Sequence, residues 1–102
     1  MTIQERIQKD ISDNRVMLYM KGTPDAPMCG FSKHVSAILK HYNAEFAAAN
    51  VLEDAELRQG IKDFSDWPTV PQLYVDGEFV GGCDITTELM ESGELETMLK
   101  GK

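Results

Sequence analysis

The run Val16-Met17-Leu18-Tyr19-Met20 constrains this chain more than any other stretch. Five successive apolar residues leave no polar face, which is the pattern of a strand buried on both sides. A strand of that kind needs helices above and below it. The flanking segments supply them. Thr2 and Glu5 form a capping box ahead of Ile3, Ile7 and Ile11, so residues 3–13 read as an amphipathic helix ending at Asp13-Asn14. After the run, Gly22 to Met28 carries two prolines and a glycine and reads as a loop. From Phe31 the period changes again. Val35, Ile38, Leu39 and Tyr42 make one face of a helix reaching His41.

The second half repeats the alternation and then departs from it. Phe46 to Val51 reads as a weak, alanine-rich strand, and Ala55 to Phe64 as a helix with Leu57, Ile61 and Phe64 inward. Pro68 and Pro71 exclude helix between them. Gln72 to Val75 is a strand, Asp76-Gly77 a hairpin turn, and Glu78 to Val80 the returning strand. Gly81-Gly82 breaks it. Thr86 to Glu91 and Gly93 to Leu99 read as closing helices, with Asp84 and Ser92 as their N-caps. The order is a βαβ unit followed by a β-hairpin. Short connections and a right-handed crossover lead to one four-stranded mixed sheet with helices on both faces, a thioredoxin-like α/β fold. The 102 residues suit a single domain spanning 1–102.

Composition excludes several classes of function. A net charge of −7 opposes a nucleic-acid footprint, which needs clustered Lys and Arg. No apolar run approaches the ~20 residues that span a bilayer. The opening MTIQERIQKD has neither a signal peptide's apolar core nor a transit peptide's arginine-rich character, so a cytoplasmic protein is expected. Two cysteines, Cys29 and Cys83, are too few for a disulfide scaffold and point to catalysis, redox chemistry or metal binding. His34, His41 and the two cysteines lack zinc-site spacing, and both histidines read as surface residues of the second helix.

Cys29 falls where the loop after the first strand meets the next helix. Free N–H groups there stabilise an anion, and a thiolate is one. Lys21, at the strand's end, adds positive charge, and Gly30 lets the chain turn. Ser32 stands where a second cysteine would complete a redox pair. A cis bond at the loop proline Pro71 would hold a backbone edge beside the thiol.

The segments MKGTPDAP, Cys29-Gly30-Phe31-Ser32, WPTVPQLYVDG and GGCD occur in this order over essentially the full length. The chain thereby resembles the CGFS-type monothiol glutaredoxins of the short, single-domain class. The resemblance implies a thioredoxin-like fold and a site for glutathione, a tripeptide with two carboxylates and one amine. It implies that Lys21 and Arg58 meet the glycine carboxylate. The Val70 backbone would pair with the cysteinyl unit; many relatives carry an aromatic there. The N–H groups of Cys83 and Asp84 would receive the γ-glutamyl carboxylate, and the Asp84 carboxylate would accept from its amine. Trp67 reads as core or wall.

One thiol cannot resolve its own mixed disulfide. A Cys29–Cys83 bond requires Cα atoms within about 7 Å. Two activities follow from the resemblance. The first is a [2Fe–2S] cluster bridged between two copies, each giving Cys29 and one glutathione, and passed to apo iron–sulfur proteins. The second is glutathione-dependent deglutathionylation through Cys29. The seven residues from Gly22 to Met28 resemble the insertion of the CGFS class, which implies a displaced Lys21 and weak oxidoreductase activity at most. A BolA-like protein is the further partner the resemblance implies. Nucleic acid and membrane are not expected partners.

Overall fold

A computed structural model describes residues 1–101; Lys102, the last residue of the expected domain, lies outside them. The helices are α1 (Ile3–Asp13), α2 (Gly30–His41), α3 (Ala55–Ser65), α4 (Cys83–Ser92) and α5 (Glu94–Lys100). The strands are β1 (Val16–Met20), β2 (Ala47–Asn50), β3 (Gln72–Val75) and β4 (Glu78–Gly81). They form one sheet in the order β2-β1-β3-β4, with β1–β2 parallel and the other pairs antiparallel. This is the thioredoxin-like architecture.

All five residues of β1 are buried. Val16, Leu18 and Met20 face one side, where Val35, Ile38 and Leu39 of α2 and Leu95 and Leu99 of α5 complete a core. Met17 and Tyr19 face the other, against Ile7 and Ile11 of α1 and Leu57 and Ile61 of α3. Fully burying one such aliphatic side chain stabilises the fold by about 1.5–3 kcal/mol. The strand therefore anchors two cores at once. The expected capping box is present: Glu5 donates its N–H to Thr2 Oγ1 at 3.1 Å, and Thr2 its N–H to Glu5 Oε1 at 3.0 Å.

Three boundaries differ from expectation. A short 3₁₀ turn, Val51–Glu53, follows β2, capped by the Asn50 side chain. The first closing helix begins three residues earlier than Thr86. Gly82, not Asp84, is its N-cap, and Asp84 lies in its first turn. The reason is the bond from Thr86 N–H to Gly82 O at 3.0 Å, which closes a turn directly on the glycine. Gly93, not Ser92, caps α5, in a left-handed conformation (φ 86°) that joins α4 to α5 without a linker.

The sheet topology brings the site segments to one end. β1 and β2 run parallel, so their C-terminal ends, Lys21 and the approach to α3, lie together. β3 is antiparallel to β1, so the 66–71 segment enters at that same end. β4 leaves there into Gly82.

Candidate functional site

A cavity of about 440 Å³ opens at this end of the sheet. Lys21, Cys29, Arg58, Val70, Cys83 and Asp84 all line it, so the six residues singled out from sequence share one site. Lys62, Phe31, Trp67 and Ile85 line it too.

The seven-residue loop closes on itself at the mouth of the cavity. Gly22 and Pro27 form an isolated antiparallel bridge, and Met28 N–H donates to Lys21 O at 3.0 Å. The loop leaves and returns at one place, setting Lys21 beside Cys29. Gly22 is required there. Its φ is +89°, and a Cβ would stand 2.5 Å from Ala26 O. Asn50 Oδ1 accepts from Gly22 N–H at 2.9 Å, tying the loop to β2. Lys40 donates to Pro24 O at 2.6 Å, tying it to α2.

Cys29 is the N-cap of α2 and is half-buried. The backbone N–H of Ser32 holds its thiol below the ordinary value, helped by the N–H of Phe31, the Lys21 charge and the Ser32 hydroxyl, and opposed by partial burial. These donors act without closing a cap hydrogen bond onto the sulfur. Ser32 is completely buried, and its Oγ accepts the Lys21 N–H at 3.0 Å. The residue in place of a second thiol thus joins the strand end to the cysteine's helix.

Cys83 opens α4, half-buried, and is also a free thiol. Burial pushes it above the ordinary value, and the nearby Asp84 and Cys29 charges push the same way; a hydrogen bond with Thr87 opposes them. Its backbone N–H and that of Asp84 belong to the first turn of α4, whose donors have no intrahelical acceptor. Gly82 packs close to the opposite wall: a Cβ there would lie 3.2 Å from Pro71 O.

The wall between them is the 66–71 segment. The Val70–Pro71 peptide is cis. Val70 is 6% exposed and joins the α1–α3 core. Trp67 is 40% exposed and tilts against Phe79 with ring centroids 6.0 Å apart, which makes it wall rather than core. On the far side, Arg58 and Lys62 lie four residues apart on α3, one turn above the other. Lys62 was missed in the sequence reading, although its spacing from Arg58 is the signal that finds it. With Lys21 they set three cations against Asp84 in a protein whose net charge is −7. His34 and His41 are exposed, as expected of surface residues. No helix is long and apolar enough to cross a membrane among the described residues.

A thioredoxin-like sheet with an activated thiol capping α2, and no second thiol three residues on, defines a single-cysteine thiol-disulfide fold. The comparisons give that class its family. The glutaredoxin family model matches residues 16–80. A probable monothiol glutaredoxin 2 of Rickettsia felis is 58% identical over 97 residues, covering 95% of this chain and 93% of that protein. The solution structure of reduced, apo poplar GrxS14 superposes with a TM-score of 0.81 at 54% identity, covering 92% of this chain and 86% of that one. A buckwheat glutaredoxin–glutathione complex shares the fold alone, with a TM-score of 0.85 at 20% identity over 96% of this chain and 87% of that one. The chain belongs to the monothiol glutaredoxin family.

Proposed function

We propose that this protein binds glutathione in the Cys29 cavity and that two copies, joined through it, carry a [2Fe–2S] cluster for delivery to apo iron–sulfur proteins or for storage. The convergence of one thiolate-prone cysteine with three cations and a free helix start in one cavity carries this reading. Glutathione has a complement for each of its groups there. Lys21 and Arg58 suit the glycine carboxylate, the Val70 backbone the cysteinyl unit, and the N–H groups of Cys83 and Asp84 the γ-glutamyl carboxylate. The Asp84 carboxylate suits the amine.

The cluster is cargo, and the chain's own donors decide how it is held. A [2Fe–2S] cluster takes four sulfur ligands. Among the described residues no three Cys, His, Asp or Glu side chains gather into a metal-binding group. One chain offers Cys29, while burial, with the Asp84 charge, raises the Cys83 thiol. Two chains and two glutathione thiolates make four. A mixed pair with a BolA-like protein would draw on the same thiol.

The depressed Cys29 thiol supports a second reading, deglutathionylation. Cys29 thiolate attacks the glutathione sulfur of a mixed disulfide and releases the substrate thiol. A second glutathione thiolate then takes the first, forming glutathione disulfide and returning Cys29. Anaerobic reconstitution with iron, sulfide and glutathione separates the readings. A coloured dimer that needs both Cys29 and glutathione is expected. A colourless monomer with and without glutathione would return the protein to thiol exchange.

A further inference from the structure

One fully buried polar side chain next to the cavity has no role in the chemistry above. Gln72, the first residue of β3, is 0% exposed. Its amide is used at both ends. Nε2 donates to Trp67 O and to Thr69 O, each at 3.2 Å, and Oε1 accepts the Tyr74 hydroxyl at 3.0 Å. The orientation is dictated by chemistry, because two carbonyls can only accept. Tyr74 is itself 2% exposed, and burial pushes its hydroxyl up to about 12, so it remains a donor at neutral pH. The Tyr74 ring rests in an aromatic cluster, against Tyr19, Phe64 and Phe79 at centroid separations of 5.8, 6.2 and 5.4 Å.

The two carbonyls bracket the segment that matters. Trp67 and Thr69 both line the cavity, and Val70 follows them directly. The start of the segment is held independently: Trp67 N–H donates to Lys62 O at 3.2 Å and to Ser65 Oγ at 3.1 Å. Beyond Trp67, the only side chain bonded to the backbone of 67–71 among the described residues is Gln72. A surface loop would satisfy such carbonyls with water, and its path would vary. Here the core supplies a fixed donor.

We infer that Gln72 is a positioning residue: its amide, oriented by the Tyr74 hydroxyl, fixes the Trp67–Val70 wall so that the Val70 backbone is presented to a bound tripeptide thiol. Gln72 touches no ligand and no reacting atom. Its effect falls on binding and leaves the Cys29 thiolate alone, because Cys29 is tuned by α2 and Lys21. This inference rests on the glutathione reading for its ligand, but the order of the wall can be measured without one.

The test compares wild type, Gln72→Met and Tyr74→Phe. Met fills the same space with no donor. Phe keeps the aromatic packing and frees the amide to turn, which covers the case in which Gln72→Met fails to fold. Three quantities are read: backbone 15N order parameters at Thr69 and Val70 in the free protein, glutathione affinity by NMR titration, and the pH profile of Cys29 alkylation. The order parameters at Thr69 and Val70 are expected to fall in both variants, and glutathione affinity to fall at least tenfold in Gln72→Met and about threefold in Tyr74→Phe. The alkylation profile should stay unmoved. Unchanged order parameters in a folded variant would overturn the inference, and so would a shift of the Cys29 profile as large as the loss of binding. If wild type bound no glutathione yet the wall loosened in the variants, the positioning role would stand and the glutathione reading would fall.

Discussion

Cys29 and Cys83 stand at the starts of two helices and line the same cavity, yet the fold treats them oppositely. Cys29 precedes α2 as its cap, with the N–H groups of Ser32 and Phe31 ahead of it and Lys21 beside it, and its thiol is depressed. Cys83 lies inside α4, more deeply packed, with Asp84 next in sequence and Cys29 nearby, and its thiol is raised. The lesson is that a helix start does not by itself make a nucleophile. Position on the cap, the sign of the neighbouring charge and access to water decide it. The same helix start can then serve another purpose. The backbone donors of α4 remain available to a carboxylate even though the Cys83 sulfur is quiet.

Removing each sulfur gives the largest contrast. Cys29→Ser should abolish both the glutathione mixed disulfide and the coloured dimer, while Cys83→Ser should keep both, because the proposed role of Cys83 uses only its backbone N–H. Intact mass after treatment with glutathione disulfide, together with visible absorbance after reconstitution, reads the difference. Equal losses in the two variants would break the comparison. A charge change at Lys21 is expected to act on one side only. Lys21→Gln should weaken glutathione binding about fivefold, the scale of ~1 kcal/mol for a partly exposed ion pair. It should also move Cys29 ionisation to higher pH and leave Cys83 where it is. Calorimetry and site-resolved alkylation check this. The smallest effect falls on the other thiol. Thr87→Val removes the hydroxyl that partly offsets the burial of Cys83. Cys83 should alkylate more slowly by about twofold to threefold, with no change at Cys29 in the same digest.

Most of the fold was legible because its signals were physical and local. Ile3, Ile7 and Ile11 trace a helix face, and Val16–Met20 can be nothing but an inner strand. The site was legible for a different reason. Lys21, Cys29, Arg58, Val70, Cys83 and Asp84 sit far apart in sequence, and only the family motifs tied them together before the sheet brought them to one end. The misses have specific causes. Gly81-Gly82 reads as a break, but Gly82 accepts the first helical bond of α4, so the helix begins where a loop is expected. Lys62 escaped because its one mark is its place a helical turn from Arg58, and a lysine on an amphipathic helix otherwise reads as a solvated face. Gln72 looked like no more than the first residue of a strand. Its worth lies in the carbonyls of Trp67 and Thr69, which no sequence pattern reveals.

The account turns on there being one reactive thiol in a cavity that holds two. The most direct measurement is the rate of alkylation of each cysteine against pH, followed by mass spectrometry of the same sample. Thiolate is the reacting form, so a depressed thiol gains its rate at lower pH than an ordinary cysteine, and a raised one at higher pH. Two separate profiles are expected, with Cys29 reaching half its limiting rate below the ordinary thiol value and Cys83 above it. Coincident profiles, or Cys83 reacting at the lower pH, would contradict it.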